Sequence, residues 1–427
     1  KLVEVFEICY TNMFGYVDTN TMLHAQAELP TPKRALYLIW AEEFKVLWSL
    51  FFGNFITELK VKDEVAKFGG YPRLFGSLDG AVLAGRGVAD FAKLLFSGLG
   101  FLPAIVLGDY RYEFCDCQER YSSDTFFQRL MMPNQSTFYY YSDDSLIKFV
   151  VDGKVYIFET DISKCDMSNR LSIFYYVYII IRRIFGRTVA DTIVGQAHSM
   201  ARLVNPSDRN EFVNLQPHFF FEYSGLLITT LLNNVASFFI AMSVFALFER
   251  EVECGEVADE DLVETLHQII LRGGINVGYT LTIKYCASPS DATFLKRVSD
   301  GKVSTLCLGV LLRTFGTMEE YSPKVLGLTR KQFDSLTHEQ RFEVYGKARV
   351  DGYKNEPGNL ILDALRRRFK AAGALDSFDN DVLKERYPKV SEVDWCQLVE
   401  YIENLAIGDE ICCAATCEIF SVDYGVV

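Results

Sequence analysis

The residues best suited to chemistry in this chain are carboxylates at strand ends. Asp143 and Asp144 sit in the turn Ser142-Asp143-Asp144, between the aromatic run Phe138-Tyr139-Tyr140-Tyr141 and the apolar run from Leu146 to Val151. Asp161 follows in the stretch Asp161-Ile162-Ser163-Lys164-Cys165-Asp166. A turn carboxylate and a strand-end carboxylate on neighbouring strands point into the same space. There they can share hard cations such as Mg²⁺ or Mn²⁺, which take a few carboxylates plus phosphates and waters. Two such ions, roughly 4 Å apart, activate an attacking hydroxyl and stabilise a leaving oxygen. An Asp-Asp turn is ordinary by itself, because Asp is a good turn former. Its weight comes from what surrounds it.

The elements that must position these carboxylates can be read from the pattern. Residues 136 to 165 read as three strands. The first two flank Ser142-Asp143-Asp144, and the third, Val155 to Thr160, follows Asp152-Gly153-Lys154. Asp-Gly between β-rich runs is a strong hairpin signal. The apolar stretch from Arg170 to Phe185 reads as a helix over the sheet, and another helix is expected from about Gly225 to Glu249. Leu226 to Phe248 is almost free of charge and long enough to cross a bilayer. Thr229, Asn233 and Ser237 recur in it every four residues, which puts them on one helix face. A buried helix of a soluble protein, with no transmembrane span, is therefore expected.

Ala258-Asp259-Glu260-Asp261 suits a helix N-terminus and leads into a helix from Leu262 to Leu271, expected to stop at Gly273-Gly274. Strands are expected at Ile275 to Tyr285 and around Phe294-Leu295, and helices at Asn359 to Lys370 and Trp395 to Leu405. Residues 1 to about 135 read as helices and short turns, punctuated by Pro30, Pro32, Gly69-Gly70 and Pro72. The whole is an α+β chain with a helical C-terminal subdomain.

The chain has 427 residues, 49% of them apolar, enough for two or three subdomains. It does not begin with methionine and is expected to be a segment of a longer protein; no signal peptide is visible. The net charge of −13 is unlike a simple nucleic-acid binder, which would be basic. Local clusters point the other way: Lys33-Arg34, Arg182-Arg183 with Arg187, Lys296-Arg297, and Arg366-Arg367-Arg368 with Lys370. A protein that encloses RNA needs a positive channel rather than a positive exterior. The arginine run at 366–368 reads as a solvated face. The eleven cysteines and five histidines lack zinc-site spacing, so reduced, structural cysteines in a cytosolic setting are expected.

Residues 224–234 fit the pattern Ser-Gly-x3-Thr-x3-Asn through Ser224, Gly225, Thr229 and Asn233. This resembles motif B of the RNA-dependent RNA polymerases of positive-strand RNA viruses. Asp161-x4-Asp166 then resembles motif A, and Ser142-Asp143-Asp144 resembles motif C with Ser where Gly is usual. Phe294-Leu295-Lys296-Arg297 resembles motif E of picornavirus-like polymerases. Gly278 to Lys284 resembles motif D, and Pro32-Lys33-Arg34 resembles the basic motif F. The resemblance covers roughly residues 30 to 300. The order departs from the usual one. It runs C, A, B, D, E, similar to the permuted palm of permutotetraviruses and birnaviruses. A conventional motif C would lie between about 250 and 275, where Asp259-Glu260-Asp261 is flanked by polar residues and leads into a helix.

The resemblance implies a palm-fingers-thumb "right hand" with an antiparallel palm sheet. Part of the fingers would occupy 1–135, the palm with some fingers residues 136–305, and a helical thumb 306–427. It implies RNA-templated RNA synthesis in viral replication, in the host cytoplasm, with two Mg²⁺ or Mn²⁺ ions. Its partners would be template and nascent RNA, NTPs, and a protein primer or other replication proteins. Asp143, Asp144 and Asp161 would bind metal. Asp166, with Ser224 and Asn233, would read the ribose 2′-OH, beside Gly225 and Thr229. Reverse transcriptases place a bulky ring near motif A instead. Lys33 and Arg34 would neutralise the triphosphate, Lys284 would be the general acid, and Lys296 and Arg297 would hold the nascent strand. The alternatives are a reverse transcriptase-like enzyme, a catalytically inactive palm-fold protein, or a membrane protein using 226–248.

Overall fold

The computed structural model describes residues 57–62, 73–78, 104–115, 126–313, 323 and 326–424, apart from 186, 199, 206–207, 223, 225–227, 374–376 and 410–412. The chain forms two compact units. One draws on Lys1–Lys62, Arg73–Cys117 and Pro133–Tyr285; the other on Asp63–Pro72, Gln118–Met132 and Cys286–Val427.

In the first unit, β1 (Thr57–Lys62), β2 (Arg73–Leu78), β8 (Ala201–Val204) and β9 (Phe212–Leu215) make a sheet of order β2-β1-β8-β9. A second sheet has the order β10-β7-β6-β5-β4-β3. Its strands are β3 (Ala104–Leu107), β4 (Tyr110–Phe114), β5 (Thr137–Tyr141), β6 (Asp144–Val151), β7 (Lys154–Ile162) and β10 (Leu281–Cys286). Strands β5, β6 and β7 run antiparallel in succession, but β4 pairs with β5 in parallel. The larger sheet is therefore mixed rather than wholly antiparallel. The described residues ahead of 115 lie mostly in strands, where the sequence pattern suggested helices and turns.

Three helices follow β7: the one-turn α1 (Cys165–Ser168), then α2 (Leu171–Phe185) and α3 (Arg187–Gly195). The helix α4 (Thr229–Phe248) is buried nearly all round and is the spine of the core. Tyr110 stacks on Phe245 at 4.7 Å, and Phe149 meets Phe248 at 4.8 Å. Phe138, Ile147, Phe149 and Phe158 share this core, all on one sheet face as the strand register requires. Among the described residues, one helix, Thr229–Glu253, is long and apolar enough to cross a membrane, but 94% of its apolar window is buried inside the protein. Its hydrophobic sides face protein.

The next helix, α5 (Leu262–Asn276), does not stop at Gly273-Gly274. A Cβ on Gly273 would come within 2.5 Å of Val244 Cγ2 and 3.0 Å of its Cα. Gly273 lets α5 approach α4 closely, and a Cβ on Gly274 would meet Leu281 and the Tyr279 carbonyl; neither glycine breaks the helix. The turn comes at Gly278, with φ 92°, and only then does β10 begin.

The second unit contains β11 (Arg297–Ser299), paired with β12 (Ser304–Leu306), and the helices α6 (Leu308–Arg313), α7 (Arg330–Asp334), α8 (His338–Asp351), α9 (Leu360–Phe369), α10 (Asn380–Arg386), α11 (Glu392–Glu403) and α12 (Ala414–Tyr424). Side chains close the helix N-termini: Thr329, Thr337 and Ser391 form capping boxes. The arginine run is not a solvated face. Arg366 is buried and donates to the carbonyls of Tyr353 and Glu356, while Arg368 pairs with Glu343 and Arg367 with Glu403.

Helix propensity alone predicts that Gly273→Ala stabilises by about 1 kcal/mol. The contact with Val244 predicts the opposite, a net loss of roughly 1–3 kcal/mol from overpacking. Urea unfolding separates the two; a rise in midpoint would refute the close-approach role.

Candidate active site

The β5–β6 hairpin turns through Ser142 and Asp143, with Ser142 at φ 57°. The turn is half-buried, and its backbone groups on the protein side must find partners there. The polar side chains of α4 supply them. Asn234 Oδ1 accepts from the Ser142 N–H at 2.6 Å, and Ser237 Oγ donates to the Ser142 carbonyl at 2.6 Å. Asn233 Nδ2 donates to Ser142 Oγ at 3.1 Å. All three polar groups of Ser142 are thus engaged by one helix whose Asn233, Asn234 and Ser237 are buried. The four-residue spacing of Asn233 and Ser237 has this physical purpose. Asn234 joins them although it is out of that spacing.

The strand register decides which carboxylates meet. Asp144 on β6 lies directly opposite Asp161 on β7. Directly opposed residues have Cβ atoms about 4.5–5.5 Å apart, and like charges so placed destabilise a sheet. One residue further on, Ser145 and Thr160 join their hydroxyls on the other face. Asp143 occupies the adjoining turn and Asp166 the first turn of α1. Burial first, then the charges of Glu222, Asp143, Asp166 and Asp161, push the Cys165 thiol far up.

Below the turn lies a polar hub. Asn233 Oδ1 accepts from Cys165 Sγ at 3.1 Å and from Asn169 Nδ2 at 2.9 Å. Asn169 also donates to Glu222 Oε2, and its Oδ1 accepts from Tyr279 at 2.7 Å. Asn169, Glu222 and Tyr279 are buried. Burial raises the Glu222 carboxyl to about 8 against the opposing bond from Asn169, with Asp166 and Asp143 adding to the rise. Glu222 Oε1 and Asn234 Nδ2 are buried without a hydrogen-bond partner.

The other sequence candidates are placed as follows. Ser224 is half-buried just ahead of α4, and Thr229 opens that helix. Gly225, Lys33 and Arg34 lie outside the described residues. Lys284 on β10 has its Nζ 3.9 Å from Glu159 on β7. In the second unit, Phe294 and Arg297 exchange backbone hydrogen bonds across a tight turn, with Leu295 and Lys296 at φ 50° and 62°. Lys296 is exposed at its tip. Arg297 is turned inward, held by Glu356 at 2.8 Å and by Ser304. Asp259-Glu260-Asp261 forms an exposed 3₁₀ turn leading into α5, not a hairpin.

Asn169, Glu222, Asn234 and Tyr279 were not singled out from sequence. Glu222 carried a signal: a lone charge between Phe219-Phe220-Phe221 and Tyr223. A charge in so apolar a run is either exposed or buried with a partner.

Opposed carboxylates with a third in the adjoining turn fit a hard, oxygen-seeking divalent cation. Among the described residues, no group of three or more His, Cys, Asp and Glu side chains is gathered as a metal cage. Mg²⁺ is commonly held by one or two carboxylates together with substrate phosphates and waters, so the donor set suits it. Comparison with models of known protein families and with curated proteins finds no match to this chain.

Glu222 makes stability depend on pH. Its folded carboxyl keeps the proton up to about 8, whereas the ordinary value is 4.5. The unfolded chain therefore releases the proton first, and this contribution to stability, full below 4.5, is lost as pH rises through about 8. Melting curves of wild type and Glu222→Gln across this window should diverge, by on the order of a few kcal/mol. Parallel pH profiles would show that the Glu222 carboxyl titrates alike in the folded and unfolded chain, and would refute the raised value.

Proposed function

We propose that this chain is an RNA-directed RNA polymerase with a permuted palm, catalysing nucleotidyl transfer on an RNA template. The observation that carries the reading is the register of Asp144 opposite Asp161, with Asp143 in the adjoining turn. The directness of the β6–β7 connection supports it too. In the order C then A, the second strand of the hairpin runs through Asp152-Gly153 into β7, which carries Asp161 next to its last residue.

Bound Mg²⁺ or Mn²⁺ would activate the primer hydroxyl and neutralise the departing pyrophosphate. The chain's own residues do the rest. Asp143, Asp144 and Asp161 supply hard oxygen ligands. Asp166 and Ser224 address the ribose, while Asn233, buried with its amide engaged by Ser142, Cys165 and Asn169, holds both neighbourhoods in place. Lys284 is the proton donor for the leaving group. Lys296 grips the nascent strand through phosphate contact without reading bases. Arg297 acts from inside the fold, shaping the turn that presents Lys296. Lys33 and Arg34 would meet the triphosphate.

The test is primer extension on an RNA template with Mg²⁺ or Mn²⁺. Wild type and a double Asp259→Asn/Asp261→Asn variant should extend the primer, whereas Asp143→Asn and Asp161→Asn should lose extension by at least about a hundredfold. Full activity in Asp143→Asn with none in the 259/261 variant would overturn the permuted assignment. A second readout needs no turnover: either cation should raise the melting temperature of wild type and not of Asp161→Asn.

A further inference from the structure

Asp166 stands on a weak element. Helix α1 has four residues, no side-chain N-cap, and Lys164 at φ 50° before it. One turn of helix closes too few hydrogen bonds to offset its own ordering. Something outside it must hold Asp166 in place. The residues that do so flank it. Cys165 precedes Asp166, and Asn169 ends the helix with its N–H returned to Cys165 O at 3.1 Å. Both side chains converge on one acceptor, Asn233 Oδ1. The same Asn233 amide donates to Ser142 in the Asp143 turn. One amide thus links the helix that carries Asp166 to the hairpin that carries Asp143.

Asn169 is itself fixed from three sides. Its amide donates to Asn233 and Glu222 and accepts from Tyr279. The amide orientation follows from these partners: reversed, its oxygen would face the Asn233 oxygen and its NH₂ the Tyr279 hydroxyl. Glu222 belongs to the segment ahead of α4, and Tyr279 to the turn after α5. Four separated stretches of the first unit meet at this one side chain. None of its contacts reaches solvent, so Asn169 does not touch a nucleotide.

The geometry points to Asn169 as a positioning residue for ribose recognition, which fixes the one-turn helix carrying Asp166 against Asn233 and depends on Tyr279 for its own orientation. This rests on the polymerase reading above. A site built to hydrogen-bond a hydroxyl rejects the analogue lacking it, because its polar groups are then left unpaired. That rejection needs the reader held still. If Asp166 moves, the penalty for a missing 2′-OH disappears, since a mobile carboxylate finds water instead.

The experiment compares kcat/KM for NTPs and the matching 2′-deoxy-NTPs in primer extension by wild type, Asn169→Ala, Tyr279→Phe and Tyr110→Phe. Tyr279→Phe removes one buried hydroxyl and keeps the ring, so it preserves packing where Asn169→Ala could unfold the chain. Tyr110→Phe removes a comparable bond, to Glu253, away from the hub. The NTP preference should fall by roughly tenfold or more in Asn169→Ala and Tyr279→Phe, chiefly by improved use of the deoxynucleotide. It should be unchanged in Tyr110→Phe. A purely structural role lowers both substrates together and leaves the ratio alone; that result in Tyr279→Phe would overturn the inference while the polymerase reading stands. A wild type that incorporates neither substrate would overturn the reading, and the inference with it.

Discussion

A turn that carries chemistry must sit at the edge of a packed core, and its backbone groups must still be satisfied. In this chain that requirement falls on Ser142. Its N–H, carbonyl and hydroxyl all bond to Asn234, Ser237 and Asn233 of α4. The same helix supplies Phe238, Phe245 and Phe248 to the aromatic core beneath the sheet. One element thus performs two tasks. Its apolar residues fix where it lies against β4, β5 and β6, and its few polar residues fix where the turn lies. Replacing any of the three polar side chains with an apolar one would remove a bond that holds half-buried Ser142, at a cost of about 1 kcal/mol.

The hub below the turn follows from the same constraint. Asn233 cannot be buried beside Ser142 unless its oxygen is also used, and Cys165 and Asn169 use it. Asn169 in turn needs Tyr279 and Glu222. Satisfaction spreads outward until it ends at Glu222, whose carboxyl is raised to about 8 and whose second oxygen is left without a partner. A neutral carboxyl there spares the site one more negative charge beside Asp143 and Asp166. Asp144 opposite Asp161 is a like-charged cross-strand pair, the kind of feature a divalent cation would relieve.

The second unit treats its arginines differently from what their exposed-looking run suggests. Arg297 and Arg386 are buried in pairs with Glu356 and Asp423. Tyr387 adds a hydrogen bond to Asp423 at 2.8 Å, and Gly309 donates its N–H to the same carboxylate. Arg366 carries backbone carbonyls rather than a solvent face. The planar, multi-donor guanidinium suits this work. Part of the basic content is thereby spent inside the fold.

Local pattern was sufficient for the hairpins, because turn chemistry is local: Asp152-Gly153 and the Ser142-Asp143 turn lie between apolar runs whose lengths match their strands. It was also sufficient for the helices at 171–185 and 360–369, and for the polar face of the long apolar helix. The third strand read from the sequence also put Asp161 near a strand end, and β7 ends one residue beyond it. What the sequence could not determine were the distances across the chain. Whether Gly273 breaks a helix or admits a neighbour depends on Val244, which lies 29 residues away in sequence. Whether Arg297 faces solvent depends on Glu356, and whether Glu222 is paired depends on Asn169. Residue types and spacing determined that carboxylates, a polar helix face and a tight basic turn exist. Only the tertiary structure decided which polar groups are buried together, because burial makes every unsatisfied group find a partner that spacing alone cannot name.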